Sequence, residues 1–137
     1  MRKHIHEIFE EVKKAKGDDK VAILQKNESW ALKDVLRGTY DDIVQWNVPA
    51  GKPPFEENQG HNSPSSLLKQ NRQFKHFVKG LEGDKMLKAK REMLYIKLLE
   101  SIHPQDAEIV INMTSKTNIS GITKATVKKA FPNLISQ

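Results

Sequence analysis

No cysteine occurs in the 137 residues, which rules out disulfides, thiolate metal sites and a cysteine nucleophile and fits a reducing compartment. No apolar run approaches the roughly 20 residues that span a bilayer. The opening Met1-Arg2-Lys3-His4-Ile5-His6-Glu7 lacks the apolar stretch of a signal peptide, so a soluble, internal protein is expected. A Gly-x-Ser-x-Gly elbow is absent, and Gly51-Lys52 runs into Pro53 without the upstream glycine of a phosphate-binding loop. There is no fixed-period repeat and no low-complexity tract. What remains is a chain of 15.7 kDa with 37% hydrophobic and 29% charged residues. Its mean hydropathy of −0.63 is polar, yet the apolar content suffices for a core. That size corresponds to a single domain, residues 1–137.

Apolar residues recur at helical spacing through most of the chain. Over residues 2–16, Ile5, Ile8, Phe9 and Val12 fall on one side and Glu7, Glu10, Glu11 and Lys14 on the other, which predicts an amphipathic helix. Gly17-Asp18-Asp19 supplies a stop and then a cap for a short second helix with Val21, Ile23 and Leu24. After Asn27-Glu28-Ser29, a third helix carries Trp30, Leu32, Val35 and Leu36 to Arg37-Gly38. From 47 to 66, Pro49, Gly51, Pro53, Pro54, Gly60 and Pro64 interrupt any helix or central strand, so a long irregular loop is expected. Trp46, Val48 and Phe55 should tack it onto the core.

Ser65 or Ser66 can cap a helix near 66–81, with Leu67, Phe74, Phe77, Val78 and Leu81 on one side and Lys69, Arg72, Lys75, His76 and Lys79 on the other. Gly80 and Gly83 mark a turn before a helix at 85–102. Its second half, 93–102, is apolar almost all round and is expected to be the central element. Pro104 suits the first turn of a further helix, with Ser101 or His103 near its cap. The stretch Glu108-Ile109-Val110-Ile111-Asn112 also reads as a strand, but a lone strand has no partner, and helix is preferred. Thr123 can cap a last helix ended by Pro132, with Leu134 and Ile135 packing back. The expected fold is all-α, a compact bundle of about six short helices around 93–102.

The net charge of +6 is local. Between 69 and 97 lie Lys69, Arg72, Lys75, Lys79, Lys85, Lys88, Lys90, Arg91 and Lys97 against Glu82, Asp84 and Glu92, which accounts for the whole excess. Such a patch attracts phosphates or an acidic protein surface, with a pull that declines over a Debye length of roughly 10 Å at 0.1 M salt. Lysine outnumbers arginine in it, whereas bidentate recognition prefers arginine. Phe74 and Phe77 fall on the apolar side, which leaves no stacking platform for single-stranded nucleic acid. The first eight of these cations, Lys69 to Arg91, are the candidate contact residues.

Other chemistries find little support. His4 and His6 are two residues apart, so on a helix they point about 200° from one another and are not expected to share a metal. Glu100-Ser101-Ile102-His103 is half of a di-iron bundle motif whose second copy is missing. His103 and Asp106 form a catalytic pair by residue type, but a hydrogen bond at a helix start is the expected role. A helix-turn-helix at Gly17 or Gly121 would have only Lys124, Lys128 and Lys129 as a thin candidate for base contacts. No catalytic residues, metal or cofactor are therefore expected, and the chain reads as a non-enzyme.

Several phrases carry a resemblance. They are Leu36-Arg37-Gly38, Val48-Pro49-Ala50-Gly51-Lys52-Pro53-Pro54, Ser63-Pro64-Ser65-Ser66-Leu67, the run Leu98-Leu99-Glu100-Ser101-Ile102-His103-Pro104-Gln105-Asp106-Ala107, and Ala130-Phe131-Pro132. Together they resemble a family of small proteins of unknown function encoded by large tailed phages of the T-even type and their marine relatives. The resemblance implies a protein of the infected bacterial cytoplasm in contact with replication or transcription machinery. The leading expectation is a non-enzymatic phage accessory protein that binds a host machine, with RNA polymerase the first candidate. The alternatives are direct nucleic-acid binding through the cationic segment, in replication or packaging, and inhibition of a host factor by insertion of the 47–66 loop.

Overall fold

The structure is a computed structural model that describes residues 3–49, 51–56 and 66–135. Ala50 and residues 57–65, with the expected breakers Gly60 and Pro64 and the expected cap Ser65, lie outside the described residues. The described chain is all-α. Its helices are α1 Ile5–Lys14, α2 Asp18–Lys26, α3 Trp30–Tyr40, α4 Leu67–Gln70, α5 Lys88–Ser101, α6 Pro104–Thr114 and α7 Lys124–Ala130, with 3-10 turns at Asn71–His76 and Glu82–Lys85. None is long and apolar enough to cross a membrane.

The helix starts follow from short polar side chains at the expected places. Ser29, Ser66, His103 and Thr123 each accept a hydrogen bond from a backbone N–H of the first turn they open, satisfying a donor that the helix leaves orphaned. Gly17 caps α2 without a side-chain bond, because the helix already begins at Asp18. Where a strand was conceivable, at 108–112, the chain continues α6, and Asp106, Ala107, Val110, Ile111 and Met113 face inward at helical spacing. Leu134 and Ile135 pack back on the core as expected, and Phe131, the residue that caps the end of α7, is buried beside them.

α1 buries Ile5, Ile8, Phe9 and Val12 and packs on α2 and α6, while α2 packs on α7. The most enclosed helix is α3, with Ala31, Leu32, Val35, Leu36, Gly38, Thr39 and Tyr40 all buried against α4 and α6. The stretch 93–102 is less surrounded than its composition suggests. It buries Tyr95, Leu98, Leu99 and Ile102, a single i, i+3, i+4, i+7 stripe, while Met93 is 49% exposed. Tyr95 reaches α6 through a hydroxyl bond of 2.9 Å with Thr114. Tyr40 does the equivalent for the loop before α7, donating to the Ile122 carbonyl at 2.6 Å and accepting from the Ile119 N–H at 2.9 Å.

The expected helix at 66–81 is the main departure. The α-helix stops at Gln70, and Asn71–His76 tightens into a 3-10 turn in which side chains three apart eclipse. Phe74 and Phe77 therefore point inward together, each burial contributing about 1.5–3 kcal/mol. Beyond them the backbone runs antiparallel to the segment after α3. Asn47 N–H donates to the Phe77 carbonyl at 2.6 Å and Lys79 N–H to the Gln45 carbonyl at 2.8 Å, around a single bridge between Trp46 and Val78. These partners replace the helical bonds that 77–79 would otherwise need. Leu81, assigned to the apolar side by helical spacing, follows the turn at Gly80 and is 50% exposed.

The turn closes on Gly83, where a Cβ would lie 1.8 Å from the carbonyl oxygen of His76. Only a bare backbone fits there. Gly83→Ala is expected to destabilise the protein by about 3 kcal/mol or more, the upper part of the overpacking range, read as a lower urea midpoint at unchanged slope.

Candidate functional site

The eight candidate cations do not occupy one helix surface. Lys69 lies on α4, Arg72 and Lys75 on the 3-10 turn, Lys79 at the bridge, Lys85 on the second 3-10 turn, and Lys88, Lys90 and Arg91 on α5. Arg91 among them has backbone partners for its guanidinium. Its Nε donates to the Asn47 carbonyl at 3.0 Å and its Nη1 to the carbonyls of Gly83 at 3.1 Å and Met86 at 3.4 Å. The guanidinium is thus a buttress between α5 and the two loops. An acid also sits in the segment: Asp84 accepts from Asn47 Nδ2 and, at 2.8 Å, from the Gly80 N–H. Those hydrogen bonds, aided by Arg91 and Lys79, hold its carboxyl below the usual range.

Of the eight, Arg72 and Lys75 line an open groove of about 490 Å³ between α3 and the 71–81 segment. Its floor is apolar: Val44, Trp46, Phe74 and Val78. Its rim carries two exposed apolar side chains, Trp30 at 79% and Leu81 at 50%. The opposite wall comes from α3, where Trp30, Asp34 and Arg37 follow one another at i, i+4 and i+7 on the side away from the core. Arg37 is not among the eight expected cations, because it lies outside the 69–97 segment that holds the excess charge. The i, i+4, i+7 stripe was nevertheless readable, since Trp30 stands opposite Leu32, Val35 and Leu36 on a helical projection. Asp34 is half-buried, and desolvation raises its carboxyl above the usual range against the opposing effects of the Asn71 hydrogen bond at 2.7 Å and of Arg37.

A second cluster lies where α1 meets α6. His4 and His6 do converge, contrary to the helical-projection argument, because His4 is the extended cap residue before α1 and only His6 is helical. Both rings face Asp106 at the start of α6, whose carboxylate is wholly buried. His6 Nδ1 lies 2.8 Å from Asp106 Oδ1, which also accepts the His6 backbone N–H at 3.1 Å. His4 Nδ1 stands 3.7 Å from Oδ2, and neither of those two buried atoms has a hydrogen-bond partner. The His103 ring stacks on His6 with centroids 4.3 Å apart, while its Nδ1 caps α6 by accepting the Gln105 N–H at 3.1 Å. Desolvation and then the neighbouring His6 charge lower the pKa of His103, which suits an accepting, neutral cap.

Residues 8–119 match DUF6433, a family of unknown function. The chain belongs to that family. No curated protein matches the chain. The part of this DUF6433 member that matches spans the whole groove and includes His103 and Asp106, and it begins after His4 and His6.

The buttress reading of Arg91 separates it from its neighbours. Arg91→Ala is expected to lower stability by roughly 2 kcal/mol by leaving the Asn47 and Met86 carbonyls without their donor, since the Gly83 carbonyl keeps the Met86 N–H, whereas Lys90→Ala on the exposed side should stay within about 0.5 kcal/mol in the same denaturation series.

Proposed function

We propose that the protein is a non-catalytic binding module whose groove takes an acidic, partly apolar segment of a partner protein. The observation that carries this reading is the coincidence of an open apolar floor with Arg37, Arg72 and Lys75 around it and Trp30 standing 79% exposed at the rim. A tryptophan left in water at the edge of a concavity is the residue type that dominates binding energy in protein interfaces, and arginine is the next. Charge complementarity selects an acidic occupant and sets its orientation more than its affinity.

The partner we propose is a protein machine of a bacterial host, with RNA polymerase the first candidate. Support for that setting is the likeness of the chain's punctuation motifs to small T-even phage proteins. Direct binding of nucleic acid is the weaker reading, because the groove floor of Val44, Trp46, Phe74 and Val78 is apolar and suits side chains rather than a phosphate backbone, and because Asp84 sits among the lysines outside it. Loop insertion has less support in the described part of 47–66. Val48 and Phe55 pack on the core, and the backbone N–H groups of Gly51 and Glu56 donate to Ser115 Oγ and Glu100 Oε2.

Purified host RNA polymerase is expected to retain the wild-type chain at moderate salt. The Arg72→Glu/Lys75→Glu double variant and Trp30→Ala should each reduce retention at least tenfold, and Asp34→Asn, which keeps an acceptor for Asn71, should increase it two- to threefold. Retention that is indifferent to all three would refute the groove, and absence of retention by the wild type would refute this partner. Affinity for duplex DNA that collapses steeply with salt would favour the nucleic-acid reading instead.

A further inference from the structure

We propose that His4, His6 and Asp106 form a binding site for a divalent transition-metal ion, zinc(II) in the first instance, that fastens the start of the chain to α6. This goes beyond the groove and is independent of it, since the cluster lies at the junction of α1 and α6 and shares no residue with it.

The starting point is a carboxylate that folding has taken wholly out of water with only one of its two oxygens hydrogen-bonded. Asp106 is 0% exposed, and its Oδ1 is occupied by the His6 backbone N–H and ring while Oδ2 has no donor. Buried charge without a partner is disfavoured, and native proteins place such groups against a donor, an opposite charge or a metal. The atom nearest in kind to Oδ2 is His4 Nδ1, itself buried and unpartnered, at 3.7 Å. That separation is too long for a hydrogen bond and close to what a shared ion requires. Zinc takes nitrogen and oxygen at about 2.0–2.2 Å in tetrahedral geometry, which puts two of its ligand atoms about 3.4 Å apart. One ion between Oδ2 and Nδ1 therefore satisfies both orphaned atoms with shifts of a few tenths of an ångström. A ring nitrogen of His6 completes the set, since one donor atom from each of the three residues lies within 4.8 Å of the others.

The donor set selects the class of ion. Two imidazoles and one carboxylate suit zinc, cobalt and nickel, whereas magnesium and calcium need six or more oxygens that this junction does not offer. His103 belongs to the surroundings and is not a ligand. Its Nδ1 lone pair is engaged by the Gln105 N–H, so the neutral ring carries its proton on Nε2, and its role is to hold the His6 plane by stacking. Three protein ligands leave a fourth position on the side where the His4 side chain is 38% exposed.

The test uses the untagged 137-residue chain stripped with EDTA and titrated with zinc sulfate by calorimetry. A parallel cobalt(II) titration is followed by visible absorption. The expected result is one equivalent of zinc per chain, reversed by EDTA, a cobalt spectrum with the intense bands of a four-coordinate centre, and no uptake of magnesium. His4→Ala is the decisive variant because the His4 side chain is partly exposed and not among the buried apolar core residues, so its loss leaves the core intact; it should weaken zinc binding at least tenfold with unchanged circular dichroism. His103→Asn, which keeps a capping side chain, should still bind one equivalent, as should His76→Ala. Failure of the wild-type chain to bind zinc, or binding that His4→Ala leaves untouched, would overturn the site and leave His6 and Asp106 as a hydrogen-bonded pair only.

Discussion

The groove exists because the Trp46 indole rests on bare backbone at Gly38. A Cβ at that position would stand 2.6 Å from Trp46 Cζ2 and 2.8 Å from Met113 Sδ, so α3, the tryptophan and α6 meet at a distance no larger side chain allows. The indole Nε1–H donates to the Gly38 carbonyl at 3.0 Å, fixing the ring in that contact. Once Trp46 is seated, residues 45–47 lie where 77–79 can pair with them, and Phe74 meets the indole edge-on at 6.1 Å. The chain after Phe77 then has a backbone partner other than its own helix. In this way a single close approach decides both the end of the 71–76 turn and the apolar floor between it and α3.

The all-α architecture was readable from periodicity and caps. Ile5, Ile8, Phe9 and Val12 in α1, Ser29 before α3, Pro104 after His103 and Thr123 before α7 each speak through interactions within a few residues, which is the range that spacing and propensity can see. The 66–81 helix failed for the complementary reason. Its apolar spacing is consistent with a helix, but the α-helix stops at Gln70, and at 77–79 the backbone pairs instead with Gln45 and Asn47, some thirty residues away. The apolar run at 93–102 similarly overstated its own enclosure, because composition does not say which neighbour covers Met93 or leaves it open.

Electrostatics divided along the same line. The segment 69–97 does hold the excess charge, yet charge counted along the chain is not charge gathered in space. Arg91 spends its donors on three carbonyls, Asp84 sits among the lysines, and the groove draws Arg37 from a helix outside the segment. The histidine cluster shows the reverse error. A projection valid inside a helix separated His4 from His6, while the extended backbone of His4, at φ −65° and ψ 152°, brings it back over Asp106. A capping residue obeys its own geometry, and its side-chain direction cannot be taken from the helix that follows.

The seating of Trp46 is open to direct measurement, because the chain holds only two tryptophans and Trp30 can be removed from the rim. Iodide quenching of the Trp30→Phe chain reports Trp46 alone, at 9% exposure. The account predicts blue-shifted emission that iodide barely quenches, and a shift to red, freely quenched emission when Gly38→Val is added. Emission from the Trp30→Phe chain that is already red and quenched like free indole would contradict it.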